Sequence, residues 1–404
     1  MMREIGAVQT GLLHQWFRVL DNQLADHRHW WQFRPFHHRE LVWQRTHPEL
    51  CAALAALPDS EVERLGQDPA AAAVWLSRWI PESAALLEQA RLPRFAPREL
   101  MYDTHLHCGI PGRKWQQINA FAGCLPQGPE PVLEWCAGKG HLGRLLATCD
   151  RRPVTSLEWQ ESLCREGEEL ARRCGAGMHF VHCDAFAPEA GAWVRSGEHA
   201  VALHACGDLH VALMRHWVRN RGGRLSLSPC CYHLIRAEEY GPLSEAAARA
   251  RNFLSKADLN LPLQETVTAG AGVRRHSQTE LHWRLAFDEL QRELRGADSY
   301  LPVPNVQKSL LSGSFGDFAR WAAARKHLQL PSALNEEQWL ARGLQRLRNV
   351  RRMELVAHLF RRPLEIWLVL DRALFLAEQG AEVAIGEFCE RQLTPRNILL
   401  QAHW

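Results

Sequence analysis

Glu134-Trp135-Cys136-Ala137-Gly138-Lys139-Gly140-His141-Leu142-Gly143 is the stretch on which the reading of the fold turns. Val132-Leu133-Glu134 before it is a short apolar strand, and Leu142 to Thr148 after it has helical spacing. Glycines between a strand and a helix permit positive φ and let a ligand approach the backbone closely. The free N–H groups at the following helix start favour an anionic group.

Working outward, the same strand, turn and helix rhythm repeats. Val154 to Glu158, Met178 to Cys183, Ala200 to Ala205 and Leu225 to Ser228 read as strands. Glu161 to Cys174 and Leu209 to Arg219 read as helices between them. Such alternation implies right-handed crossovers and a parallel, doubly wound sheet. Near the end, Leu364 to Gln379 is an amphipathic helix stopped by Gly380. Glu382 to Phe388 and Asn397 to Ala402 are then two strands joined through Thr394-Pro395. The expected fold is α/β, a class I (Rossmann-like) sheet of seven strands closed by a hairpin. Four segments follow: a helical domain at 1–104, the sheet core at 105–236, a helical insertion at 237–360 before the last two strands, and the rest of the core at 361–404.

Gly138-x-Gly140-x-x-Gly143 also matches the dinucleotide fingerprint, with Glu158 twenty residues after Gly138 (158 − 138). Three features favour S-adenosyl-L-methionine instead. Glu134 stands four residues before the first glycine, where a carboxylate opposes a pyrophosphate and suits an α-ammonium group. Asp184-Ala185 follows the third strand, where methyltransferases read adenine. The closing hairpin replaces a second mononucleotide-binding half. The expected cofactor-binding set is Glu134, Cys136, Gly138, Gly140, Glu158, Asp184, Ala185 and His204. Glu158 as a helix cap and Asp184 as a turn residue are the competing structural readings.

Two further strand ends carry the resemblance to a family. His204-Ala205-Cys206-Gly207-Asp208-Leu209 and Pro229-Cys230-Cys231-Tyr232-His233-Leu234 resemble the H-A-C-G-D-L and C-C-Y-H-L motifs of an S-adenosylmethionine-dependent methyltransferase-like family, some of whose members are labelled ribosomal RNA adenine dimethylase domain-containing proteins. Leu370-Asp371-Arg372 through Gly380 and Thr394-Pro395-Arg396-Asn397 resemble its C-terminal signatures. Acceptor-stem tRNA 2′-O-methyltransferases are similar more distantly. The resemblance implies the fold and the methyl donor, and only loosely the acceptor. Gly109 to Lys114 merely approximates the family's Lys-Lys motif.

Methyl transfer depends on holding the acceptor in line, and a hydroxyl or protonated amine needs a base as well. Strand-four and strand-five ends supply Asp208, His204, Tyr232 and His233 as the candidate catalytic residues. Asp208 as the cap of its helix, and His204 as a core histidine, are the bland alternatives. Cys206, Cys230, Cys231, His204, His233, His105, His107 and Cys108 invite a metal reading. No C-x₂-C pair is present, so no metal is expected.

Composition frames these expectations. The 404 residues are 46% hydrophobic and 23% charged with a formal charge of +3, a globular balance that names no partner. Twelve dilute cysteines, a Met1-Met2-Arg3-Glu4 start without an apolar run, and the absence of a membrane-length apolar stretch give a cytoplasmic expectation with no membrane partner. Between Arg320 and Arg362 ten Lys/Arg face three acids, a local balance of +7 (10 − 3), with Trp321 and Trp339 interleaved. His27 to Arg45 is also basic, with Trp30, Trp31, Phe33 and Phe36. Arginine with aromatics suits phosphate contact and base stacking, so RNA is the expected partner through Arg342, Arg346, Arg348, Arg351 and Arg352. Solvated helix faces over a tryptophan core are the alternative. A protein or small-molecule acceptor, and a non-catalytic module keeping the fold, are the rival functions.

Overall fold

A computed structural model describes residues 8–264 and 271–404. The Met1-to-Glu4 start, and residues 265–270 of the expected insertion, lie outside the described residues. The chain divides into two compact units: residues 1–26, 88–267 and 361–404 form one, and residues 27–87 and 268–360 the other.

The first unit is built on a seven-stranded sheet. Its strands are β1 (Val132–Trp135), β2 (Val154–Glu158), β3 (Met178–His182), β4 (His199–Cys206), β5 (Arg224–Cys230), β6 (Glu382–Glu387) and β7 (Ile398–His403), in the order β3-β2-β1-β4-β5-β7-β6. Strands β1 to β5 are parallel, and β7 runs antiparallel to both β5 and β6. The sheet is therefore the expected α/β class I arrangement with one reversed strand. All four residues of β1 are buried, as a central parallel strand covered on both faces requires, whereas edge strand β3 is mostly half-exposed. Helices His141–Cys149, Glu161–Arg173 and Asp208–Arg219 follow β1, β2 and β4 and give the crossovers. The reversal of strand order between β1 and β4 opens a crevice at the carboxyl ends, where open α/β sheets bind ligands.

Helix Thr10–Asp26 belongs to this unit and buries Leu13, Phe17, Leu20 and Leu24. Phe17 lies 5.1 Å from Trp367 between ring centroids, and Trp367 Nε1 donates to Asp21 Oδ1 at 3.1 Å. The core-facing helix Arg361–Ala377 that receives it is buried along nearly its whole length. Its Asp371 carboxylate accepts from Tyr240 Oη at 2.5 Å, Ser244 Oγ at 2.6 Å and Ser244 N at 2.8 Å. Asp371 of the Asp-Arg signature thus ties the segment after β5 to this helix.

The second unit is helical. Ala271–Arg295, Phe315–Arg325 and Glu336–Ala357 enclose a core of Trp283, Phe287, Phe315, Phe318 and Trp339. Here two of the five arginines expected to meet RNA are internal ties. Arg346 is buried, with Nη1 on Asp288 Oδ2 at 3.0 Å and Glu289 Oε1 at 2.6 Å. Arg352 is buried, donating to Leu54 O at 2.7 Å and Leu57 O at 2.6 Å and pairing with Asp59 at 3.0 Å. Arg342 and Arg348 are exposed but paired with Glu293 and Asp59 at 2.8 and 2.9 Å, and Arg351 is half-buried. A long arginine can lie along a helix and still reach a carbonyl or carboxylate, so the charge count cannot separate a ligand-facing arginine from an internal one. Trp30 and Trp31 are buried too. No helix among the described residues is long and apolar enough to cross a membrane.

Candidate active site

The glycine loop joins β1 to its helix and makes three different uses of glycine. Gly138 has φ +58°, and a Cβ placed there would meet no atom within 4 Å. Its missing side chain therefore leaves open space beside the backbone. Gly140, at φ +63°, would drive a Cβ into Phe180 and Met178, and Gly143 would drive one into Glu134 and Val154. Those two glycines permit packing, whereas Gly138 leaves room for a ligand. Cys136 adopts φ +56°, uncommon for a side-chain-bearing residue.

Glu158, at the end of β2, accepts from Gly138 N at 2.9 Å through Oε2 and from Gln160 N at 3.0 Å through Oε1. It braces the loop while a carboxylate's remaining lone pairs stay available to a ligand hydroxyl. Glu134 is buried and accepts from Ser156 Oγ at 2.8 Å, and burial pushes its carboxyl up to about 7. Asp184 is exposed, with Oδ1 accepting from Phe186 N at 2.9 Å in a tight local turn, and Ala185 beside it is buried. Trp159, which the sequence reading passed over, directly follows Glu158 and is 65% exposed, an unusual state for a tryptophan. Its carbonyl accepts from His182 Nε2 at 2.8 Å. An aromatic immediately after the strand-end acid was the signal that could have revealed it.

The acceptor-side candidates separate into distinct environments. His204 sits at an irregularity of β4, in the left-handed region at φ +66°, with Nε2 3.2 Å from Gln117 Oε1. Burial lowers its imidazole below the ordinary value, so the ring is neutral at pH 7. Asp208 is the first residue of its helix, after Gly207, and does not cap it; Oδ2 accepts from Arg236 N at 2.8 Å. Tyr232 does not reach the crevice: it is fully buried, with its hydroxyl 3.4 Å from Glu365 Oε1 and Arg372 5.2 Å from its ring centroid. His233 is half-buried, and its buried Nδ1 has no hydrogen-bond partner among the described residues.

A cavity of about 280 Å³ adjoins Asp208, lined also by Phe186, Arg215, Arg236 and Tyr240. The Arg236 guanidinium lies 3.8 Å from the Phe186 ring centroid. The strand ends also gather thiols: Cys206 and Cys230, paired across β4 and β5, have Sγ atoms 3.4 Å apart, with Cys231 Sγ beside them. His105, His107 and Cys108 are exposed and are not part of that cluster.

Residues 113–238 match a family model described as a methyltransferase domain. The matched segment spans β1 to β5 and contains the glycine loop and both strand-end motifs. No curated protein matches the chain. Among solved structures, a fibrillarin/Nop5p complex matches at 18% identity over 26% of this chain and 51% of that one, with a TM-score of 0.23. A Pyrococcus abyssi tRNA (uracil-54, C5)-methyltransferase in complex with S-adenosyl-L-homocysteine matches at 19% identity, 26% and 25% coverage and a TM-score of 0.22. An rRNA methylase from Streptococcus thermophilus matches at 14% identity, 30% and 72% coverage and a TM-score of 0.24. The chain thus spans about half the length of the fibrillarin chain and a quarter of the tRNA enzyme.

A methyltransferase domain on this sheet takes S-adenosyl-L-methionine, and the residues present fit that group. Gly138 leaves open space beside its backbone, the acid at 158 has lone pairs beyond its two hydrogen bonds, and the acid at 134 is buried.

Proposed function

We propose that this chain transfers a methyl group from S-adenosyl-L-methionine to RNA. The carrying observation is the open cradle at Gly138 with Glu158 fastened beneath it and Asp184-Ala185 at the next strand end. In this reading Gly138, Gly140 and Cys136 shape the cradle, Glu134 balances the ammonium group, Glu158 accepts from the ribose, and Asp184 and Ala185 contact the adenine. When bound, the cofactor supplies an electrophilic methyl carbon. His204, neutral and partly desolvated, and Asp208 are the groups placed to take a proton from an acceptor or to orient it. Tyr232 supports the strand end from within the core, and His233 flanks it.

The RNA reading is supported by Arg215 and Arg236, both exposed, beside Phe186 in the cavity at Asp208. Cations next to an aromatic face suit a phosphate and a base. In the second unit Arg342, Arg348 and Arg351 remain candidate phosphate contacts, and Arg346 and Arg352 hold that unit together. Their internal use favours a second reading, a protein or small-molecule acceptor. Filter binding to total RNA at rising salt separates the two: the RNA reading expects a steep fall in affinity, because phosphate contacts release counterions. Salt-independent or absent RNA binding favours the second.

A further inference from the structure

Three cysteines that the fold alone brings together have no role in the site described above. Cys206 ends β4, Cys230 ends β5, and Cys231 follows it; their sulfur atoms all lie within 4.8 Å of one another, the Cys206–Cys230 pair at 3.4 Å. Zinc bound by thiolates at about 2.3 Å in a tetrahedron holds its sulfurs about 3.8 Å apart. The cluster therefore already has the spacing of a metal cage, and adjusting it needs shifts of a few tenths of an ångström to about one. Cys231 reaches this position through a left-handed backbone, φ +47°, a strained state for a non-glycine residue that persists at functional sites. Two other polar groups nearby are unsatisfied. His233 Nδ1 and Arg396 Nη1 are buried without hydrogen-bond partners among the described residues. The His233 ring nitrogens lie outside the group of atoms within 4.8 Å of one another, so the imidazole has to turn in to complete the set. Three thiolates on a divalent cation leave one negative charge, which a neighbouring guanidinium offsets.

We propose that Cys206, Cys230 and Cys231 bind one zinc ion at the carboxyl ends of β4 and β5, with the His233 imidazole turning in as the fourth ligand. The ligand set is Cys₃His, one of the common combinations of structural zinc sites, although it lacks the usual C-x₂-C spacing. The spacing rule fails here because the third cysteine comes from a neighbouring strand. It is a tertiary pairing, Cys206 opposite Cys230, that no local motif records. The site stands independently of the proposed methyl transfer, since it rests on the thiol geometry alone.

The test is metal content and spectroscopy of the full chain, purified under reducing conditions. One zinc per chain by mass spectrometry is expected. Replacement by cobalt(II) should give a thiolate-to-metal charge-transfer band in the near ultraviolet. Cys206→Ser, Cys230→Ser and Cys231→Ser should each weaken zinc binding by more than the roughly tenfold to hundredfold typical of losing a supporting partner. Cys174→Ser, at an exposed cysteine, should leave it unchanged. His233→Gln should weaken binding as well, and unchanged affinity would remove that residue from the site. Because a cysteine variant can fail to fold, X-ray absorption of the zinc-loaded wild-type protein supplies the decisive reading. Three sulfur neighbours at about 2.3 Å are expected. A shell of nitrogen and oxygen alone, no retained zinc, or a Cys206–Cys230 disulfide in the native protein would overturn the assignment.

Discussion

Gly138→Ala isolates the ligand space of the glycine loop from its packing. At φ +58° an alanine is strained by roughly 1–2 kcal/mol. For a unit of this size that lowers the thermal midpoint by about 2–8 °C. Beyond its two chain neighbours, no atom of the described residues lies within 4 Å of the new Cβ, so no packing penalty is added. The methyl group instead enters the space assigned to the cofactor. Overpacking by a methyl costs about 1–3 kcal/mol, which weakens S-adenosyl-L-methionine binding roughly fivefold to 150-fold. Gly175→Ala is the matched control: φ is +62° and its Cβ also meets nothing, but it lies after the helix following β2, away from the loop. Both variants should lose similar stability in calorimetric melts, and only Gly138→Ala should lose affinity by titration calorimetry. Equal cofactor affinity in the two would refute the assignment of that space.

Trp159→Ala removes an exposed ring, so stability should stay within about 0.5 kcal/mol while cofactor affinity falls several-fold; unchanged affinity would place the ring outside the site. Asp208→Asn keeps an acceptor for Arg236 N, so the fold should persist while turnover falls by about 10²–10⁴ if the carboxylate takes a proton. Wild-type turnover in that variant would leave Asp208 a local tie. Burial holds His199 and His210 near pKa 3, and His210 Nε2 accepts from Arg372 Nε at 2.7 Å. With folded values below the unfolded 6.5, their contribution is complete above pH 6.5 and is lost as pH falls towards 3. Glu134 acts in the opposite sense: its raised carboxyl favours the fold below pH 4.5, and that contribution disappears as pH rises to about 7. Two histidines outweigh one acid, so thermal midpoints should drop between pH 6.5 and 4; a rise would contradict the burial argument.

The sheet was legible because its signals are local. Apolar triplets ending in an acid, glycines after the first strand and the Thr394-Pro395 turn each fix an element without tertiary information. The candidate cofactor residues stand out for the same reason: Gly138, Glu158 and Asp184 lie at or just after the ends of their strands. What escaped depends on long-range partners. Tyr232 sits in a motif beside site residues, yet its ring packs inward beneath Arg372, and nothing in the motif says which way the chain turns. Arg346 and Arg352 count as positive charge in sequence and act as hydrogen-bond ties in the fold. Helix Thr10–Asp26 reads as part of an N-terminal domain, whereas its Phe17 and Asp21 meet Trp367 some 350 positions later (367 − 17). Trp159 was visible only as one tryptophan among sixteen until its exposure was known.

The proposed methyl transfer to RNA can be measured without knowing the acceptor. Purified chain is incubated with tritiated S-adenosyl-L-methionine and a lysate from cells lacking the protein, and the product is divided between RNase and protease digestion. Label in macromolecules that RNase releases and protease does not is the predicted result. Label lost to protease alone, or no label in any fraction from a chain that binds the cofactor, would contradict it.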